Sequence, residues 1–155
     1  MISSLDYKAL KRLMVQGRAT WAELAADMGL SAPAAAERVR KLEQQMIITG
    51  YAALVDPASV GYPLTAFVSV TLDRPKHRAP FLVAIAKMTE IVECFHIAGD
   101  GDYLLKVRCR GTHDLDQLLT SGIKGVPGVA QTRTTIVLST LKDSVVTPIA
   151  VNTDD

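Results

Sequence analysis

The sequence predicts an α+β protein: an N-terminal winged helix-turn-helix followed by a C-terminal ferredoxin-like βαββαβ domain. Three observations carry this. The first fifty residues show apolar side chains at helical spacing in three separate runs. Residues 65–141 alternate strand-like and helix-like runs in the order β, α, β, β, α, β. Between them, Asp56-Pro57 and Gly61-Tyr-Pro63 are turn signals that mark a boundary. The expected division is residues 1–60 for the helix-turn-helix with its wing and linker, 61–143 for the βαββαβ domain, and 144–155 for a loosely held tail.

The first helix is read from Leu5, Leu10, Leu13 and Met14, with Gly17 as its stop. Thr20 and Glu23 form a Thr-x-x-Glu capping box for a second helix with Leu24, Ala25 and Met28 inward. Gly29 ends it. Ser31 caps a third helix, Pro33 stands in its first turn, and Ala35, Val39, Leu42 and Met46 form its apolar stripe. Residues 47–55 are β-prone with Gly50 in the middle and predict a short hairpin, or wing. In the second part, 65–73 is a strand, 78–89 a helix, 91–98 a strand and 103–110 another, with Gly99-Asp-Gly-Asp102 turning between the last two. A helix over 115–123, capped by Thr112 or Asp114, precedes the Val126-Pro-Gly128 turn and a long strand over 129–141.

A helix, a short turn and a second helix is the geometry of a DNA reader, whose second helix enters the major groove by its N-terminal end. With Val39 and Leu42 inward, Pro33, Ala34, Glu37, Lys41 and Gln44 point outward from the third helix and Arg38 and Arg40 lie on its flanks; the capping Ser31 joins Pro33, Ala34, Glu37, Arg38, Arg40 and Lys41 as expected DNA contacts. Small residues at 32–36 allow close approach. The cations can meet phosphates or guanine edges, and Glu37 can accept from cytosine. An ordinary solvated face with a Glu37–Lys41 i,i+4 pair fits the same residues. The charge balance decides little. The 155 residues carry a net charge of +1, and residues 1–50 hold seven Lys or Arg against five acids. Any DNA affinity must therefore come from a local patch.

Several function classes lack support. Gly99-x-Gly101 has no third glycine and no following helix, so it is not a dinucleotide fingerprint. Asp100-x-Asp102 lacks the rest of a calcium loop. Cys94 and His96 supply two ligands at most, short of a zinc site. Cys94 and Cys109 form no disulfide framework. No Ser or Cys has a readable base partner, so no enzyme activity is expected. No apolar run of membrane-spanning length and no secretory signal is present, which predicts a cytoplasmic protein without a membrane partner.

The chain also resembles the Lrp/AsnC (leucine-responsive, or feast/famine) family of transcriptional regulators. The matching stretches are Leu5-Asp-Tyr-Lys-Ala-Leu10, Glu23-Leu-Ala25 with Gly29-Leu-Ser31, and Glu37-Arg-Val-Arg-Lys-Leu-Glu43. Further on come Ile48-Thr-Gly-Tyr51, Gly99-Asp-Gly-Asp-Tyr-Leu-Leu-Lys106, and Pro127-Gly-Val129 with Thr132-Arg-Thr134. They follow the family's order over residues 5–142. The resemblance implies double-stranded DNA as partner, and self-assembly through the second domain as dimers and then tetramers or octamers. It also implies a small effector, usually an amino acid, and no cofactor. It places that effector at Gly99, Asp100, Gly101, Asp102 and Tyr103, with Gly128, Gln131, Thr132 and Thr134 closing the pocket. There, glycine N–H groups can hold a carboxylate and Asp100 or Asp102 can pair with an ammonium. A plain hairpin turn fits Gly99–Asp102 as well. Two residues depart from the pattern: Met46 stands where many members have Gly, and Gly101 replaces a larger residue. A DNA-wrapping architectural protein with little sequence preference, and an amino-acid-sensing subunit of a metabolic enzyme, are the competing readings.

Overall fold

The structure, a computed structural model, describes residues 2–150. It divides into two compact units: residues 2–54 with 141–150, and residues 55–140.

The first unit is built on helices α1 (Ser4–Val15), α2 (Trp21–Met28) and α3 (Ala32–Gln44). Each begins on the hydroxyl that a helix start needs to satisfy its orphan N–H groups. Ser3 Oγ accepts from Asp6 N, Thr20 Oγ1 from Glu23 N within a complete capping box, and Ser31 Oγ from Ala34 N. The expected apolar stripes meet in one core of Ala9, Leu10, Leu24, Ala25, Met28, Ala35, Val39 and Leu42. Met46 lies outside that stripe and is 68% exposed. It follows the C-cap of α3 with φ 56°, in the left-handed region. Ile47 N donates to Leu42 O and Met46 N to Glu43 O, the paired bonds of a Schellman motif.

Three expectations for this unit are corrected. Helix α1 is closed by Gln16, whose N–H donates to Arg12 O, so Gly17 lies beyond the cap. The wing is absent: residues 47–55 form no strand ladder. Residues 46–48 are used in closing α3, and Tyr51 Oη donates to Glu43 at 2.8 Å, tying the segment to that helix instead. The tail is not loose throughout. Ile149 packs against the helical core, and Val145 and residues 147–150 line an apolar groove with Leu10, Leu13 and Ile48.

The second unit is a four-stranded antiparallel sheet in the order β2-β3-β1-β4, with β1 (Leu64–Leu72), β2 (Ile91–His96), β3 (Tyr103–Cys109) and β4 (Val129–Ile136). Helices α4 (Arg78–Ile85) and α5 (Thr112–Gln117) make the two crossovers, and a π-helical turn, Leu118–Ile123, extends α5. Both helices cover one face of the sheet. Val68, Val70, Tyr103, Leu105 and Val107 there bury against Phe81, Ile85, Leu115 and Ile123. The elements end earlier than the patterns implied: α4 at Ile85 and β4 at Ile136. The cap of α5 also differs. Gly111 holds that position without a side-chain bond, Thr112 is already helical, and Asp114 reaches back to accept from Arg110 N.

Candidate functional site: a helix-turn-helix and a strand-end effector site

Helix α2 stops because Gly29 takes φ 69°, a left-handed conformation that costs glycine little. Leu30 N then donates to Ala25 O at 2.9 Å, and the Leu30 side chain packs on the helical core between α2 and α3. This fixes the approach angle of α3. With Ala35, Val39 and Leu42 buried, the helix exposes Ser31, Pro33, Glu37, Arg40 and Lys41, with Ala34 half-buried at its N-terminal end.

One expected DNA contact is placed elsewhere. Arg38 does not project outward: Asp6 Oδ1 accepts from its Nε at 2.9 Å and Ser3 Oγ from its Nη2 at 2.8 Å. It joins α3 to the N-terminus of α1. Burial raises the Asp6 pKa, but the bonds from Ser3 and Arg38 and the charge of Arg38 outweigh it, holding the carboxyl below its ordinary value of 3.8. A second clamp joins α1 to α2, where Asp27 accepts from Arg12 through two nitrogens. Arg40 is exposed but pairs with Glu37 on the same face, which leaves Lys41 as the cation of α3 with no ion-pair partner among the described residues. No local pattern marks the Arg38–Asp6 pair, because its partners are 32 residues apart.

In the second unit the Gly99–Tyr103 turn lies at one end of the sheet and contributes to cavities on both faces. Asp100, Gly101 and Gln131 line one of about 150 Å³ together with Ser69, Thr71 and Arg133. Ser69 Oγ donates to the carbonyl of Asp100 at 2.6 Å, and Arg133 Nη1 reaches Asp100 Oδ2 at 3.4 Å. Gly99 and Gly101 have positive φ. A Cβ on Gly101 would stand 2.4 Å from Ser69 Oγ and 3.2 Å from Val70 O, so a larger residue there requires a different turn.

Asp102 and Tyr103 line a second cavity, of about 220 Å³, with Asp73, Arg74, Arg78 and His96. Asp102 Oδ2 accepts from Leu72 N at 2.7 Å, which pins this turn to the end of β1. Thr132 and Thr134 pair in register with Val70 and Val68, so they share the helix-covered face, whereas Gln131 and Arg133 share the open face with Thr71 and Ser69. The nine expected effector residues therefore do not converge in one chamber of a single chain. Gly128 lines neither cavity. Its carbonyl accepts from Asp73 N, and a Cβ on it would lie 2.3 Å from the His77 ring.

Arg74, Arg78, Ser69, Thr71 and Arg133 were missed at the level of sequence. Extending the alternation of β4 by two from Gln131 reaches Arg133. The dense charge of Asp73-Arg-Pro-Lys-His-Arg78 directly after a strand marks the other two. Among the described residues, no group of three or more His, Cys, Asp or Glu could hold a metal ion, and no helix is long and apolar enough to cross a membrane.

Comparison with known proteins agrees with both units. Residues 2–43 match the AsnC-type helix-turn-helix domain, and residues 65–147 match the Lrp/AsnC ligand binding domain. The leucine-responsive regulatory protein of Escherichia coli K12 is 39% identical over 145 residues, covering 92% of this chain and 88% of that protein. That of Salmonella typhimurium matches to the same extent. Among solved structures, a transcriptional regulator from Neisseria meningitidis in complex with L-Met superposes with a TM-score of 0.92 at 29% identity, covering 96% of this chain and 97% of that one. E. coli AsnC gives 0.89 at 30% identity, covering 96% and 99%. A feast or famine regulatory protein from M. tuberculosis complexed with L-methionine gives 0.83 at 35%, covering 90% and 93%. A helix-turn-helix and a four-stranded α+β unit, each matched over nearly its whole length, place this chain in the Lrp/AsnC family of transcriptional regulators.

Proposed function

We propose that this chain is an amino-acid-responsive regulator that binds promoter DNA as an oligomer in the cytoplasm, without catalytic activity. Helix α3 reads the major groove through its exposed N-terminal half and Lys41, with Arg40 available once its pairing with Glu37 opens. The effector is an amino acid held at the Gly99–Tyr103 turn. The observation that carries this reading is the joint likeness of both units to regulators solved with L-methionine bound.

The open face of the sheet supports assembly. Phe67 and Leu104 are only partly covered there, and Phe95 is 47% exposed. An apolar patch of this kind, set among the polar strand residues Ser69, Thr71, Gln131 and Arg133, is most readily covered by a second copy. Linking several helix-turn-helix units raises their effective concentration on DNA, which offsets a reading helix with so few free cations.

Competition binding at fixed salt tests the function. A promoter fragment should outcompete random DNA, and one or more amino acids should change that affinity. A specificity ratio near one would favour an architectural role instead.

A further inference from the structure

The cavity beside Asp102 carries an unusual set of uncommitted charges. Arg74 follows the end of β1 and Arg78 opens α4, and both line this cavity of about 220 Å³. Neither guanidinium makes an ion pair with another side chain among the described residues. Asp102 spends Oδ2 on Leu72 N, leaving Oδ1 available. Asp73, the other carboxylate of the lining, is bound to His77. His96 is turned toward the Tyr103 ring, with centroids 5.3 Å apart. Two guanidiniums, both on exposed residues, and one carboxylate oxygen are left without a side-chain partner among the described residues.

We propose that the effector of this chain is an acidic amino acid, aspartate or glutamate, held in this cavity by Asp102, Arg74 and Arg78. The inference rests on the amino-acid-responsive reading above and narrows it. Asp102 accepts from the α-ammonium. One guanidinium takes the α-carboxylate and the other the side-chain carboxylate, each through the two-pronged geometry that suits arginine to carboxylates. A neutral amino acid satisfies only one of the two guanidiniums. The cavity is also smaller than the roughly 300–1,000 Å³ typical of sites for larger ligands, and four of its eight lining residues, Asp73, Arg74, Arg78 and Asp102, are charged.

Calorimetric titration of the full chain with each of the twenty amino acids provides the test. Aspartate or glutamate should bind, and leucine and methionine should bind at least about tenfold more weakly. Arg74→Ala and Arg78→Ala should each weaken the acidic ligand by about tenfold or more, the loss expected for a charge-assisted hydrogen bond. Arg78→Gln, which keeps most of the side chain, should lose affinity like Arg78→Ala. Unchanged circular dichroism would show that all three variants fold. Neutral amino acids binding as tightly as acidic ones, or wild-type glutamate affinity in the arginine variants, would overturn the assignment. Binding of a neutral amino acid alone refutes the acidic class and leaves the amino-acid-responsive reading intact. No binding by any of the twenty refutes both.

Discussion

Arg38 and Asp6 join the reading helix to the first turn of α1, with Asp6 Oδ1 accepting from Arg38 Nε at 2.9 Å. Arginine on a recognition helix is ordinarily counted as a DNA contact. Here its guanidinium also reaches Ser3, the residue that caps α1. One side chain therefore holds two helices and the start of one of them.

Arg38→Ala is accordingly expected to destabilise the first unit, by about 1 kcal/mol for a partly exposed pair of this kind. The contribution depends on pH. The folded-state pKa of Asp6 lies below 3.8, so the pair stabilises fully above the unfolded carboxylate range. It fades as pH falls through that range and is lost below the folded value. Urea unfolding at pH 7 and pH 3 should show a larger difference between wild type and variant at pH 7. Equal stability at pH 7, with DNA binding lost, would return Arg38 to the DNA.

On the exposed face of α3, Glu37 holds Arg40 in an ion pair. Removing Glu37 frees a cation and removes a like charge from the phosphates. Glu37→Ala should tighten binding to random DNA by about twofold, the worth of one exposed helix ion pair. Lys41→Ala should weaken binding to all sequences and reduce the slope of log K against log salt by about 1. Filter binding at several salt concentrations checks both. An unaltered slope in Lys41→Ala would mean that this face does not meet DNA.

Met46 occupies a left-handed position (φ 56°) with its side chain 68% exposed, so it loses backbone energy and gains little packing. A non-glycine residue in this conformation costs about 1–2 kcal/mol, and glycine gives back about 0.5–1 kcal/mol through its freer unfolded chain. Met46→Gly should therefore raise stability by about 0.5–1 kcal/mol. The urea midpoint should rise with the slope unchanged. A lowered midpoint would show that the Met46 side chain packs more than its exposure indicates.

Local chemistry was legible in the sequence, and pairings across the chain were not. The Thr20–Glu23 capping box, the Gly29 stop and the Ser31 cap each depend on residues within three or four positions, and all stand as read. The βαββαβ order was equally plain, because each strand and helix has its own period. The wing failed because a β-prone run needs a ladder partner, and propensity does not supply one. Arg38 was misplaced for a related reason: a helical wheel locates a side chain around its own axis and is silent about an aspartate 32 residues earlier. In the effector region the turn was found, but its division between two faces depends on the register of β1 with β4, which sets Thr132 opposite Val70.

Gly128 is fixed by close contact as well as by conformation. It has φ 94°, and an added Cβ would stand 2.3 Å from Cγ and Nδ1 of His77. His77 in turn binds Asp73, whose N–H donates to the Gly128 carbonyl, so the three residues close a ring at the end of β1. Gly128→Ala should cost about 2–4 kcal/mol, combining left-handed strain with forced displacement of the imidazole. The two parts separate in a double-mutant cycle. His77→Gly removes all three His77 side-chain atoms that the added Cβ would meet, so Gly128→Ala made on that background should cost only the conformational part, about 1–2 kcal/mol. Thermal or urea unfolding of the four proteins measures the coupling. Full additivity would mean that the His77 ring moves aside freely and that backbone conformation alone requires glycine at this position.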